Sequence, residues 1–341
     1  MTTDTPLQSR ELDFADRAMD GIEPHEIPKT GDDKPASSLW SYVIRMSGRH
    51  QIFACMIAVL VALLNIVPVE LQRRIVDDAL MTQSYESLLF LGGLYAGVIV
   101  LHQIVKFGMR IYQGWISESA ILYTRRHLLD LYGRGLKCGD ENENGTAVAV
   151  LSTETDKLGG FVGEGIVQAV TNVALLIGAI AYMVIVEAKI ALFGLAFMIP
   201  QIILTPLLQR KLNQLVEIRV DLMRGLSTRI SAMDGEMAEE CRAILPDIYR
   251  NRLRFFFVKF GIKALLNLLN AAAPLVVLIY GGMLVIEGET TVGVIVAFIA
   301  GFSRISEPLR ELIAFYRLAA QADVQHRKIA DWMQGKNRRN C

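Results

Sequence analysis

Six long apolar blocks dominate this sequence and limit the folds that it can adopt. They cover residues 52–69, 88–109, 165–186, 190–208, 264–286 and 292–315. Each block contains 18 to 24 residues. An α-helix rises about 1.5 Å per residue, so a helix of this length crosses the roughly 30 Å hydrocarbon core of a bilayer. The sequence therefore predicts an all-α membrane protein with six transmembrane helices, surrounded by membrane lipid.

The composition excludes several other classes of protein. Hydrophobic residues make up 52% of the 341 residues and the mean hydropathy is +0.35, which excludes a largely disordered chain. The 35 basic and 35 acidic residues cancel, so there is no basic excess for a nucleic-acid partner. The four cysteines show no Cys-x-x-Cys spacing and the five histidines are dispersed, so we expect no metal site.

The regions that flank the apolar blocks are polar. Residues 1–37 contain nine acidic and four basic side chains without apolar periodicity, which predicts a disordered acidic tail. In residues 38–50, Leu39, Trp40 and Val43 share one helical face, which is typical of an elbow helix at the membrane interface. Residues 334–341 form a short C-terminal tail, so the predicted membrane domain covers residues 51–333.

The distribution of lysine and arginine predicts the orientation of the helices. Thirty-one of these residues lie before residue 51, in the two long connections or from Arg304 onward, whereas the three short connections hold three. Basic residues accumulate on the cytoplasmic side of membrane proteins. We therefore expect a multi-pass protein of the plasma (inner) membrane with both termini in the cytoplasm.

The two long connections are predicted to be helical. Residues 110–164 and 209–263 each contain 55 residues in which charged and apolar side chains alternate at helical spacing. Structureless loops of that length are uncommon in compact proteins. Two antiparallel helices of about 27 residues would extend about 40 Å into the cytoplasm. The transmembrane helices are therefore expected to continue well beyond the lipid.

Four segments of the sequence resemble a known family. They are Pro68–Asp77, Asn144–Ala147 followed by Ser152 and Asp156, Gly288–Phe298, and Glu307–Leu312. In this order, and with six predicted spans, they resemble the transmembrane domain of ABC transporters of the exporter type. The resemblance covers roughly residues 38–332. It implies a dimer, homo or hetero, in which the fourth and fifth spans with their hairpin cross to the opposite half.

The resemblance also implies an ATPase partner. The 341 residues do not contain Gly-x-x-x-x-Gly-Lys-Ser/Thr, the loop whose backbone amides cradle nucleotide phosphates. They also show no Ser/His/Asp or His-x-x-x-His pattern, so the chain is not expected to be an enzyme. We expect no cofactor in this chain, with ATP and Mg²⁺ bound instead by a separate nucleotide-binding subunit.

The resemblance places the coupling turns for that subunit at the tips of the two long hairpins. In the first hairpin the candidates are Asp140, Glu141, Asn144, Gly145 and Thr146. In the second hairpin they are Ser231, Asp234, Gly235, Glu236 and Glu239. The alternative interpretation is that each tip is only a solvated acidic turn, and composition alone does not separate the two.

Polar residues within the spans are candidates for lining a translocation pathway. They are His102, Gln103, Gln168, Asn172, Gln201, Asn267, Asn270, Ser303, Arg304 and Glu307. An ionised side chain at the bilayer centre costs about 2.5 to 3.5 kcal/mol on insertion scales, so such residues face protein or water. As a set they indicate a polar cavity. For any single residue, the alternative is an interhelical hydrogen bond that only holds the bundle together.

Together these patterns predict the permease subunit of an ABC-type transporter, driven by ATP hydrolysis on another polypeptide. Two alternatives remain open from the sequence. The same fold can serve as a non-transporting membrane scaffold or regulatory protein, or the chain can be a degenerate half-transporter. Neither the substrate nor the choice between homodimer and heterodimer follows from the residues.

Overall fold

The computed structural model describes residues 22–27, 36–133, 150–196, 199–231 and 237–334. Every regular element in these ranges is helical, which confirms the predicted all-α fold. The α-helices are α1 (Leu39–Arg74), α2 (Tyr85–Gly133), α3 (Thr155–Gly160), α4 (Ile166–Val186), α5 (Ala188–Ala196), α6 (Ile199–Ser231), α7 (Met237–Ile286) and α8 (Val292–Met333). Three π-helical segments, Ile75–Leu80, Val150–Glu154 and Phe161–Gly165, adjoin α1, α3 and α4.

Five helical stretches in the described ranges are long and apolar enough to cross a membrane. They are Leu39–Leu80, Tyr85–Leu131, Val150–Val186, Arg242–Ile286 and Val292–Met333. The predicted span at residues 190–208 is not among them, because it is divided between α5 and α6 by residues 197–198, which lie outside the described ranges. Five of the six predicted spans therefore coincide with such helices, and the fourth span, residues 190–208, stays a prediction.

A glycine interrupts α1 where the predicted elbow helix meets the first span. Gly48 has φ 50° and ψ −131°, a backbone conformation that side chains with a Cβ rarely adopt. Residues 39–47 therefore form one helical segment and residues 49–74 another. The second segment contains Pro68 and continues directly into the π-helical segment Ile75–Leu80.

The chain folds into two compact units, and each has its own apolar core. The first unit contains residues 1–65, 99–175 and 308–341. Its core includes Val43, Ile116, Leu128 and Phe161, all fully buried. The segment Phe161–Gly165 approaches α2 so closely that a Cβ atom at Gly163 would overlap the backbone carbonyl oxygen of Gln113. The glycine-rich sequence 159–165 therefore serves helix packing in this unit.

The second unit contains residues 66–98 and 176–307. Its core is formed by α4, α5, α7 and α8, with Met183, Ile190 and Phe298 completely buried. Helices α6 and α7 contact each other, and because only residues 232–236 connect them, they run antiparallel. Both halves of the long connection 209–263 are thus helical, whereas their position on the cytoplasmic side stays a prediction.

Candidate functional site

The predicted lining residues are divided between the two units. In the first unit His102 and Asn172 are buried, Gln168 is half-buried and Gln103 is exposed. The Nη2 of Arg110 donates a hydrogen bond to Oε1 of Gln168 over 3.2 Å, which joins α2 to α4. The buried Nδ2 of Asn172 has no hydrogen-bond partner among the described residues.

In the second unit the structure brings one predicted residue into a contact between two helices. Asn270 on α7 accepts a hydrogen bond through Oδ1 from the hydroxyl of Ser306 on α8, at 3.2 Å. Asn267 and Glu307 are exposed, and Arg304 is half-buried. The remaining two predicted lining residues, Gln201 on α6 and Ser303 on α8, are described here only by their helical backbone.

A dense group of polar contacts in the second unit was not assigned from the sequence. It begins at the C-terminal end of α1, where Arg73 contacts both oxygens of Glu70 at 2.6 and 2.8 Å. Arg74 adds a third bond to Glu70 at 2.8 Å, and the hydroxyl of Tyr182 on α4 donates a fourth at 2.9 Å. Glu70 is therefore held by two guanidinium groups and a phenol, and it connects α1 to α4.

Asp77 extends this group to the first turn of α8. Its Oδ1 accepts the backbone N–H of Gly293 at 2.8 Å, and its Oδ2 accepts the hydroxyl of Thr291 at 2.7 Å. The carboxylate thus caps the N-terminus of α8, where unpaired N–H groups and the helix dipole favour a negative charge. Arg73 lies 3.6 Å from the same carboxylate. We call Glu70, Arg73, Asp77, Tyr182, Thr291 and Gly293 the Asp77 cluster.

The close approach at this cap requires a glycine. A Cβ atom at Gly293 would lie 2.5 Å from the carbonyl oxygen of Arg73 and 2.5 Å from the carboxylate of Asp77. Real Cβ atoms do not approach other atoms so closely, so the backbone of α8 can reach Asp77 only without a side chain at this position. The glycine in Thr-Thr-Val-Gly is thus explained by its contact with α1.

The short connections lie at the same end of this unit as the Asp77 cluster. Nζ of Lys189, in the first turn of α5, forms an ion pair with Oε2 of Glu289, between α7 and α8, at 2.6 Å. The hydrogen bond from Lys189 to Glu289 raises the pKa of this lysine. Thr291, which contacts Asp77, follows Glu289 by two residues. The connection between α1 and α2, which contains Asp77, therefore lies close to the connections α4–α5 and α7–α8.

A sequence model of the family described as the ABC transporter transmembrane region matches residues 51–309, about three quarters of the chain. The chain belongs to this family. The match contains the whole Asp77 cluster and all or part of each of the five helical stretches that are long and apolar enough to cross a membrane. The chain is therefore an integral, multi-pass membrane protein with an exporter-type ABC transmembrane domain. A comparison with curated protein sequences gives no match.

In this ABC transmembrane domain, most residues of the predicted coupling turns lie outside the described ranges. These are Asp140, Glu141, Asn144, Gly145 and Thr146 in the first turn, and Asp234, Gly235 and Glu236 in the second. Ser231 is the last residue of α6 and Glu239 lies in the first turn of α7. The second predicted turn therefore lies at the tip of the antiparallel pair α6–α7.

Residues 151–156, which follow the first predicted turn, form hydrogen bonds and an ion pair with two helices of the first unit. Arg125 on α2 donates hydrogen bonds to the carbonyl oxygen of Leu151 at 2.9 Å and to Asp156 at 2.6 Å. Lys328 on α8 contacts Glu154 at 2.7 Å. The sequence indicates Asp156 only through the family motif, because Arg125, its partner in α2, is 31 residues away. These contacts connect the base of this turn to α2 and α8.

Proposed function

We propose that this ABC transmembrane domain is the permease subunit of a transporter in which a separate ATPase subunit hydrolyses ATP. The family match over residues 51–309 carries the proposal. ATP and Mg²⁺ bind to the partner. This chain supplies the pathway and changes its access from one side of the membrane to the other.

The lengths of the helices support such coupling. Helix α2 has 49 residues and α7 has 50, so each is about 75 Å long, more than twice the thickness of the hydrocarbon core. A helix of that length extends about 45 Å beyond the hydrocarbon core and carries a displacement at its tip into the membrane. The positive-inside pattern supports a cytoplasmic position for these tips at the plasma membrane, where an ATPase meets ATP.

A dimer is part of the proposal. Large apolar side chains on the α6–α7 pair are exposed in the single chain, among them Tyr249, Leu253 and Phe257. Exposed patches of this kind mark surfaces that contact protein or lipid. In the exporter-type arrangement this pair crosses to a second transmembrane subunit, either another copy of this chain or a different one.

The Asp77 cluster has a defined part in this mechanism. Its hydrogen bonds tie the end of α1 to α4 and to the start of α8. Three helices that share one half-buried polar network move together at that end of the unit, because separating them would leave charged groups without partners. The change of access would then come from movement of this group of helices as one body.

The test is purification of the chain from its native membranes through a C-terminal affinity tag, in mild detergent. We expect a nucleotide-binding protein with a Gly-x-x-x-x-Gly-Lys-Ser/Thr loop to co-purify in a fixed ratio, and the complex to hydrolyse ATP. The control is the same preparation with the tip of the α6–α7 pair, residues 231–239, replaced by a glycine–serine linker. A dimer that carries no ATPase would instead favour the scaffold interpretation.

A further inference from the structure

Residues 22–27, which the sequence assigns to a disordered tail, pack against helices α1 and α2 of the first unit. The indole Nε1 of Trp115 donates to the carbonyl oxygen of Glu23 at 2.9 Å, and the backbone N–H of His25 donates to Ser119 at 3.3 Å. Nε2 of His25 lies 2.6 Å from the carbonyl oxygen of Met46, and Ile27 is buried. Residues 22–27 are thus held between α1 and α2.

This packing creates a groove along α2. Ile22 forms one wall, and residues 107–118 of α2 form the rest, with Phe107, Ile111 and Trp115 among them. The cavity has a volume of about 830 Å³, within the range of pockets that bind small molecules. Gly108 and Gly114 open its floor, since a Cβ atom at either would have no other atom within 4 Å.

An apolar strip leads from this groove toward the membrane. Phe107, Ile104 and Val100 recur every three or four residues on α2, so they share one face. Their side chains are 68%, 62% and 58% exposed, respectively. The predicted second span ends at Met109, so this strip lies at the depth of acyl chains, and the groove begins where hydrocarbon gives way to headgroups.

The polar side chains of the groove fit a headgroup. Arg110 follows the last residue of the predicted span, and among the described residues it donates only to Gln113 at 3.4 Å and to Gln168 at 3.2 Å. A guanidinium has five N–H donors and suits a phosphate oxygen, so donors remain for a ligand. Glu118 lines the groove eight residues further along α2 and offers a carboxylate to an ammonium group.

We propose that this groove is a binding site for a glycerophospholipid with an amine-bearing headgroup. Its acyl chains follow the strip Val100–Phe107, its phosphate pairs with Arg110, and its ammonium lies on the side of Glu118. The docked segment 22–27 closes one side, so an ordered N-terminal segment and the bound lipid stabilise each other. The proposal concerns a resident lipid and does not depend on transport.

Native mass spectrometry of the full chain in detergent tests the site, with added phosphatidylethanolamine, phosphatidylglycerol and diacylglycerol as probes. We expect phosphatidylethanolamine to bind best and diacylglycerol, which lacks the phosphate, to bind at background level. Arg110→Gln should weaken phosphatidylethanolamine about tenfold or more, because a charge-assisted hydrogen bond is lost. Gly114→Leu should abolish binding by filling the groove while leaving the fold intact.

Two matched variants on the same helix serve as controls. Arg126→Gln removes an exposed charge of α2 outside the groove, and Gly92→Leu adds a side chain at another glycine that faces open space. Both should bind phosphatidylethanolamine like the wild type. Equal binding by Arg110→Gln and Arg126→Gln, or full binding by Gly114→Leu, would overturn the proposal. Equal binding of phosphatidylglycerol would remove the part assigned to Glu118.

Discussion

Replacing Asp77 by alanine tests the cap that joins α1 to α8. The side chain is only 14% exposed, and it accepts two hydrogen bonds, from the N–H of Gly293 and the hydroxyl of Thr291. Loss of an N-cap residue costs about 0.5 to 2 kcal/mol, and loss of a negative charge beside a helix N-terminus costs about 0.3 to 1 kcal/mol. We expect Asp77→Ala to lower the stability of the protein by about 1 to 3 kcal/mol.

The assay is thermal unfolding of the purified chain in detergent micelles. The unfolding entropy of about 2.1 cal/mol/K per residue amounts to about 0.7 kcal/mol/K for 341 residues, so the expected decrease in Tm is about 1 to 4 °C. Asp78→Ala is the matched control, since this neighbouring carboxylate is exposed. Asp77→Asn, which keeps the shape and an acceptor oxygen, should lose less than alanine. A Tm for Asp77→Ala equal to that of Asp78→Ala would refute the capping role.

Three further predictions concern the first unit. Gly163→Ala should destabilise the protein because its Cβ overlaps the carbonyl of Gln113, whereas Gly160→Ala, which faces open space, should leave the Tm unchanged. Phe161→Ala should cost about 3 to 5 kcal/mol, measured by the same unfolding assay, because this ring is fully buried. Burial lowers the pKa of His25 below 6.5, so docking of residues 22–27 should be complete above pH 6.5 and lost as the pH falls through the lowered pKa. Hydrogen–deuterium exchange of this segment, corrected for intrinsic rates, should therefore rise as the pH falls. His25→Gln should remove this pH dependence.

The His25 prediction follows from its surroundings. Nε2 contacts a backbone carbonyl oxygen, which can only accept, so Nδ1 carries the lone pair of the neutral ring. Nδ1 is buried and has no hydrogen-bond partner in the part of the chain that the structure describes, and the centre of the His50 ring lies 5.0 Å from that of His25. Protonation would place an unpaired N–H beside a second imidazole. Exchange that does not change between pH 7.5 and 5.5 would contradict this reasoning.

The fold was predictable from the sequence wherever a single segment is apolar over enough residues to indicate a transmembrane helix. Apolar length alone locates the first two spans, because a helix in lipid satisfies its backbone hydrogen bonds internally. The block 190–208 carries the same signal, but residues 197–198 lie outside the described ranges, so this span stays a prediction.

The polar contacts were only half predictable. Glu70, Arg73 and Asp77 follow one another at helical spacing, so their mutual pairing can be expected from the sequence. Their partner Gly293 is 216 residues from Asp77, and no local pattern connects the two. Likewise, Glu23 and His25 lie in an acidic, proline-containing segment without apolar periodicity. Their docking depends on Trp115 and Met46, which come close to them only in the folded chain.

In the proposed mechanism, an ATPase acts on this membrane domain through the α6–α7 tip. The measurement is crosslinking from a single cysteine, Ser231→Cys, at the end of α6, in a variant whose four native cysteines are replaced by serine. We predict a crosslink to the co-purified ATPase whose yield changes when ATP and Mg²⁺ are trapped on the complex. The control, Glu287→Cys between α7 and α8, should give none. A tip cysteine that never crosslinks to the ATPase, or does so equally with and without nucleotide, would contradict this mechanism.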